Sequence, residues 1–200
     1  MGKLRKTLSI GVVMMFLTSF PIFAHDFSFG VKLFGLSIHP SGAPNYRLFP
    51  WKLDPKGIVV FNPGVTLNFE YFVWRDIISI KVVQGLYGDC AMQFAGFPHL
   101  GFRVCFLKIA RFSMNVGIGP TFLYKRSWYK LPNYDPSSES YKGGTKGEDW
   151  QHLFYWYAGE IETNVKVNDN FDVSITIIPG IPEIVNFSSG FRYNYHGKKA

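Results

Sequence analysis

One spacing in this chain could activate a hydroxyl. In His39-Pro40-Ser41 an imidazole stands two residues before a serine, and it could take the serine proton if a carboxylate oriented the ring. No carboxylate partner can be named from the sequence, and Pro40, which lacks an N–H, is a natural end to the extended segment before it. His39, His99 and His152 are the right type for a transition metal, but they come from separate segments without ligand spacing, so no metal site is expected. Asp89-Cys90 sets a thiol beside a carboxylate with no identifiable base. The chain has two cysteines, Cys90 near a loop and Cys105 well along the next extended segment. A strand rise of about 3.3 Å per residue separates them beyond disulfide reach, so two free thiols are expected. There is no phosphate loop, zinc signature or serine-hydrolase elbow, and no cofactor is expected.

A second set of charged residues is more informative, because each member falls on the polar side of an alternating segment. The cations are Lys32, Lys81, Arg103, Lys166 and Arg192; the anions are Glu70, Glu160, Glu162 and Asp172. If those polar sides share one interior, the nearly balanced charges persist there by pairing and hydrogen bonding.

The alternation is longest from Phe112 to Lys125. Phe112, Met114, Val116, Ile118, Pro120, Phe122 and Tyr124 lie on one face, and Ser113, Asn115, Gly117, Gly119, Thr121, Leu123 and Lys125 on the other. Tilted bilayer-crossing strands need about nine to eleven residues, so a stretch of this length suits one that projects beyond the membrane. Seven more segments share the pattern. They begin with Phe27, Phe29, Val31 and Leu33, then Val65 to Val73, Ile78 to Val82, and Leu100 to Phe106. The rest start near Gln151, at Phe171 and at Val185, the sixth setting Tyr155, Tyr157 and Ile161 opposite Trp156, Ala158 and Glu160. Long Pro-, Gly- and polar-rich connections are expected at 39–62, 87–98, 126–150 and 179–184, with short turns between them. Strict parity carried along the first strand aims His39 and Ser41 outward.

Ahead of the first strand, Lys3, Arg5 and Lys6 precede an apolar run from Leu8 to Phe20 and then Pro21-Ile22-Phe23-Ala24. This is the layout of a secretory signal, so residues 1–24 are expected to be cleaved and residues 25–200 to form one domain. Losing three basic residues lowers the formal charge of +7. The remainder is too modest, and too unclustered, to suggest nucleic acid. Beyond the signal no apolar run is long enough to cross a membrane as a helix, and a membrane protein without such helices must close its backbone hydrogen bonds in a barrel.

The expected fold is an all-β, eight-stranded antiparallel up-and-down transmembrane β-barrel. A secreted lipocalin-like barrel is the alternative, with an apolar lumen for a hydrophobic ligand and a wet exterior. Lipid on the apolar side is favoured by the small polar residues of the other face and by the unequal loops. Aromatics also gather toward strand ends: Tyr124, Trp128, Trp150, Tyr155 and Tyr157 at one end, Trp74, Phe171, Tyr193 and Tyr195 at the other. The closing Phe191-Arg192-Tyr193-Asn194-Tyr195 looks like the terminal signal read by the barrel-assembly machinery, although the chain continues through His196-Gly197-Lys198-Lys199-Ala200.

In architecture and in that closing segment the chain resembles the small eight-stranded outer-membrane proteins of Gram-negative bacteria, which include the transmembrane domain of outer membrane protein A and several surface and adhesion proteins. The resemblance implies outer-membrane lipid and lipopolysaccharide as surroundings, insertion by the assembly machinery, and loops that face outward to an unidentified ligand. It implies surface contact or envelope integrity without catalysis. Two lipid A-modifying enzymes, a deacylase and a palmitoyltransferase, share the architecture. Against the deacylase motif only His39 and Ser41 can be matched, with Gly42 where that family has Asn; against the palmitoyltransferase nothing can be matched.

Overall fold

The computed structural model describes residues 26–40, 42–138, 140–145, 147–180 and 184–196. The expected signal segment and Ser41 therefore lie outside the described residues. The strands are β1 (Phe27–Ile38), β2 (Val59–Trp74), β3 (Ile78–Gly88), β4 (Phe94–Ile109), β5 (Phe112–Arg126), β6 (Lys142–Gly143), β7 (Trp150–Lys166), β8 (Phe171–Gly180) and β9 (Ile184–Tyr195). Every pairing is antiparallel. The order runs β5-β4-β3-β2-β1-β9-β8-β7, and pairing of β5 with β7 closes the sheet into an eight-stranded barrel, leaving the two-residue β6 as an appendage of β7. Closure removes the unpaired edges that an open sheet would present.

The barrel is inside-out relative to a soluble protein. Ser28, Thr66, Asn68, Ser79, Asn115, Asn164, Ser174 and Asn194 are buried in its interior, while Phe69, Val82, Phe102, Ile118, Ile175 and Phe191 are exposed around its wall. An apolar exterior over a polar interior suits a hydrocarbon surround, so the lipocalin-like alternative, which needs the reverse, is overturned. Inward glycines make room for large polar side chains. A Cβ on Gly117 would stand 2.8 Å from Cγ of Arg103, closer than real side chains approach.

Two corrections to strict alternation follow from irregular pairing, and a third from the packing of the connections. In β1 the register shifts between Phe34 and Leu36, so Leu36 is exposed and Ser37 turns inward to Asn186 (2.6 Å). His39 consequently faces the barrel mouth, not lipid. In β7 the register shifts opposite Gly119 and Thr121, and the extra residue leaves both Trp156 and Tyr157 outside, 73% and 72% exposed. A bulge of this kind reverses the facing on one side of it. Gln151 is accordingly buried and Tyr155 half-buried at the mouth, whereas Trp156 belongs to the exterior. Third, Trp128 is not an interfacial aromatic: it is buried beneath the loops.

Connection lengths also differ from expectation. At one end of the barrel the turns span 75–77, 110–111 and 167–170; at the other, among the described residues, the connections are 39–58, 89–93 and 127–149. Two of the latter are long, so long and short connections do not alternate strictly. The stretch 87–98 reads as a loop because of Gly88, Gly96 and Pro98, yet most of it is strand. Gly96 is there because a Cβ would stand 2.4 Å from the Tyr124 hydroxyl. Asp89 tightens the remaining turn, its Oδ1 accepting from the Ala91 and Gln93 amides at 2.9 and 2.8 Å.

Candidate functional site

The lumen holds a network of ion pairs at mid-barrel. Arg103 donates to Glu70 (2.7 Å) and Glu162 (3.0 Å); Lys81 pairs with Glu160 and with Glu162 (2.7 Å); Lys32 pairs with Glu162. Arg192 reaches Asp172 (2.7 Å), Glu70 (3.3 Å) and Glu162 (3.7 Å). Hydroxyl groups fill further lone pairs, Ser28 and Ser79 donating to Glu70 and Thr176 to Glu162 (3.0 Å). Asn194 donates to Asp172 at 2.9 Å. Glu162 is the hub, with four cations around one carboxylate. All eight of these charged side chains are buried.

Lys166 does not join them. It shares the inward parity of Glu160 and Glu162 but stands at the last position of β7, where its exposed ammonium pairs with Asp169 across the 167–170 turn (2.7 Å). Position along the barrel axis, which parity does not encode, separates it from the network.

Above the network, toward the long connections, inward residues become apolar. Along β3 the order is Lys81, Val83, Gly85, Tyr87; along β4, where Gly101 is level with Lys81, it is Arg103, Gly101, His99, Phe97. Val83 and Phe97 are buried together, with Tyr87, Leu123 and Ile178 packed against them. His99 is buried with this layer, its Nδ1 2.6 Å from the Thr121 hydroxyl, and is not at the rim as the loop reading of 87–98 suggests.

The long connections fold over the mouth as an ordered cap. Ala43, Phe49, Val60, Cys90, Ala91 and Trp128 form a buried cluster there, with Tyr46, Leu48, Leu131 and Tyr134 packed against it. Asn45 and Asp135 join the two long connections reciprocally: Asn45 Nδ2 donates to the Asp135 carbonyl (3.0 Å), and the Asp135 amide donates to Asn45 Oδ1 (2.9 Å). Gln151 ties the cap to β7, accepting from the Trp128 amide (2.9 Å) and donating to the Tyr134 hydroxyl (3.0 Å).

Between cap and apolar layer lies a cavity of about 600 Å³. Its polar lining includes His39, Asn62, Asp89, Cys90 and Lys125, and its apolar walls include Phe49, Leu123, Leu153 and Trp128. His39 Nε2 is 3.2 Å from Cys90 Sγ, and Asn62 Nδ2 is 3.6 Å from the same sulfur. Burial lowers the His39 pKa to about 4, so the ring is neutral near neutral pH. Asp89 Oδ2 accepts from Trp128 Nε1 at 2.6 Å. Burial raises its pKa to about 6, against the opposing pull of Lys125 and its hydrogen bonds. Lys125 Nζ stands 3.4 Å from the Trp128 ring centre and 4.3 Å from that of Tyr141.

His39 is thus brought to a thiol at the barrel mouth, while Ser41 lies outside the described residues. His152 is exposed on the wall, its ring 6.0 Å from that of Phe122, so the three histidines do not converge. Among the described residues no group of three or more His, Cys, Asp or Glu is placed to hold a metal. Neither cysteine is in a disulfide: Cys90 stands at the mouth and Cys105 near the opposite end of β4. The sequence reading missed Asp89 and Lys125 as neighbours; the signal available was that the turn after β3 and the end of β5 lie at the same end of the sheet, with only β4 between them.

No protein-family model matches the chain, and no curated protein matches it. Among solved structures it is similar to the N-terminal β-barrel domain of Pseudomonas aeruginosa OprF, at 12% identity over 86% of this chain and 99% of that one, with a TM-score of 0.48. It is also similar to the outer membrane protein OprG from Pseudomonas aeruginosa, at 12% identity over 88% and 98%, with a TM-score of 0.48. A third similarity is to Ail, the attachment invasion locus protein of Yersinia pestis, at 11% identity over 86% and 99%, with a TM-score of 0.45.

Proposed function

We propose that the chain is a non-conducting outer-membrane barrel that presents an ordered cap outward, for surface contact or envelope integrity, and performs no catalysis. Residues 1–24 act as its cleaved export signal, the barrel-assembly machinery inserts it, and lipopolysaccharide surrounds the cap end of the wall. The observation that carries this reading is the ion-pair network centred on Glu162, which fills the mid-lumen with paired charges reaching across it. An eight-stranded interior is only wide enough for side chains. Opening a water path would require breaking several buried pairs at once, each break leaving an uncompensated charge.

Two measurements test the reading. Protein from isolated outer membranes should migrate differently in a detergent gel with and without boiling, as a closed barrel that survives cold detergent does. Reconstituted in planar bilayers, it should give no single-channel steps at neutral pH. Recovery in the soluble periplasm would refute the membrane location, and stable ohmic steps would refute the plug.

A further inference from the structure

The cavity under the cap ends blindly toward the lumen. Tyr87 and Leu123 line it and pack on Val83 and Phe97, and along β3 the next inward residue below Val83 is Lys81 of the ion-pair network. Exposed Pro44 and Lys56 belong to the same lining, so the cavity reaches the surface beside them. A molecule that enters there is held and not passed on. The volume of about 600 Å³ is that of a site for a small organic ligand.

The polar groups of the lining are bonded within the protein. Ser37 donates to Asn186 Oδ1 (2.6 Å), Asn62 Nδ2 donates to the Gly88 carbonyl (3.2 Å), and His39 Nε2 stands against Cys90 Sγ. Asp89 accepts two backbone amides on Oδ1 and the Trp128 indole N–H on Oδ2. Lys125 is stacked on the rings of Trp128 and Tyr141. It also acts on Asp89: burial raises the Asp89 pKa, and the Lys125 charge opposes that rise. The two interior charges thus offset each other. Phe49, Trp128, Leu123 and Leu153 supply apolar walls around them. An ion that entered this balanced interior would give up water without a net counter-charge, whereas an uncharged ring would exchange water for apolar contact at no such cost. We infer that the cavity is a binding site for small uncharged molecules with an aromatic-sized apolar body, which lies against Phe49, Trp128, Leu123 and Leu153. The inference rests on the proposed function only for the side from which the ligand arrives. Binding is measured on purified protein, so its failure leaves the plugged barrel standing, and a conducting barrel would not by itself remove the site.

The test is titration of the full folded chain in detergent, near neutral pH, with 2-naphthol, 2-naphthoate and 2-naphthylmethylammonium, followed by calorimetry. Expected are saturable binding of the naphthol and binding weaker by about tenfold or more for each ion. Leu153→Trp, which fills the cavity, should abolish naphthol binding while the boiling-dependent gel shift persists. Leu153→Ala, which enlarges the cavity, should shift preference from 2-naphthol toward the larger 2-anthrol, and it carries the test if the Trp variant loses the gel shift. Absence of saturable naphthol binding to wild type would overturn the inference. So would either ion binding as tightly as the naphthol, a folded Trp variant that binds like wild type, or an Ala variant with unchanged preference; the last two would mark partition into detergent.

Discussion

Lys81 on β3 and Glu162 on β7 meet at 2.7 Å across the lumen, although β4 and β5 stand between their strands in the wall. The contact is a chord of the barrel. It and the other pairs of Glu162 connect strands that share no backbone hydrogen bonds, so the network braces the barrel against collapse or opening in a way the sheet alone does not.

Glu162→Gln should be among the most damaging single changes in the lumen. It leaves Lys32, Lys81 and Arg103 short of counter-charge in a buried site, at a cost of about 3–5 kcal/mol. Lys166→Ala removes only the exposed pair with Asp169 and should fall within about 0.5 kcal/mol of wild type. Urea unfolding in lipid vesicles measures both, and equal effects would mean that the network contributes no bracing.

Gly117→Val should destabilise by about 1–3 kcal/mol through overpacking, because the added Cβ stands 2.8 Å from Arg103 Cγ and the guanidinium must leave its carboxylates or the strands must part. The same assay reads the change. Restoration of wild-type stability by Arg103→Ala in the Gly117→Val background would point to steric conflict alone, with no value in the ion pairs.

On the wall, Ile175→Arg should cost about 2–4 kcal/mol if the residue sits near the bilayer midplane, whereas a charge at the rim is tolerated. Ile175 is 51% exposed and lies on the same outer face as Val173 and Ile177. Trp156, the most exposed tryptophan of the described residues, should be quenched by brominated lipid tails, while buried Trp128 should not. Comparison of Trp156→Phe with Trp128→Phe separates the two signals, and quenching lost in the latter variant would contradict the facing set by the β7 bulge.

Asn45→Ala should loosen the cap without unfolding the barrel. It removes both hydrogen bonds to the Asp135 main chain, a loss of about 1–3 kcal/mol local to the loops. Limited proteolysis should then cleave within 39–58 or 127–149 faster than in wild type, with the boiling-dependent gel shift unchanged. Unaltered cleavage would mean that the two connections are held together by the apolar cluster alone.

Cap stability should respond to pH through two opposed groups. His39 has its folded pKa depressed to about 4, so its contribution is complete above the unfolded value near 6.5 and is lost as pH falls toward 4. Asp89 has its folded pKa raised to about 6, so its contribution is complete below the unfolded value near 3.8 and is lost as pH rises through 6. Each window is worth on the order of 3 kcal/mol, and in wild type they largely offset between pH 6.5 and 4. His39→Asn should therefore give a cap that gains protease resistance on acidification across that range, and Asp89→Asn one that loses it. The same trend in both variants would exclude this pairing.

The sequence by itself determined the architecture. Alternation with period two over eight segments, small polar residues on one face and aliphatic and aromatic ones on the other, leaves few solutions besides an antiparallel barrel in lipid, because facing in a strand follows from pleat geometry. For the same reason Lys32, Glu70, Lys81, Arg103, Glu160, Glu162, Asp172 and Arg192 could be assigned to one interior before any contact was visible.

Tertiary structure decided what parity cannot carry. Bulges at Phe34–Leu36 and at Trp156–Tyr157 each reversed the facing beyond them, turning His39 and Tyr155 inward, and a single inserted residue has no signature in a hydrophobic pattern. Height along the axis removed Lys166 from the network. The cavity was illegible for a further reason: its lining comes from both long connections, the 89–93 turn and strands β1, β2, β3, β5 and β7, brought together by the folding of the cap over the mouth. Such a site is set by non-local packing, and no spacing along the chain records which loop lies over which strand.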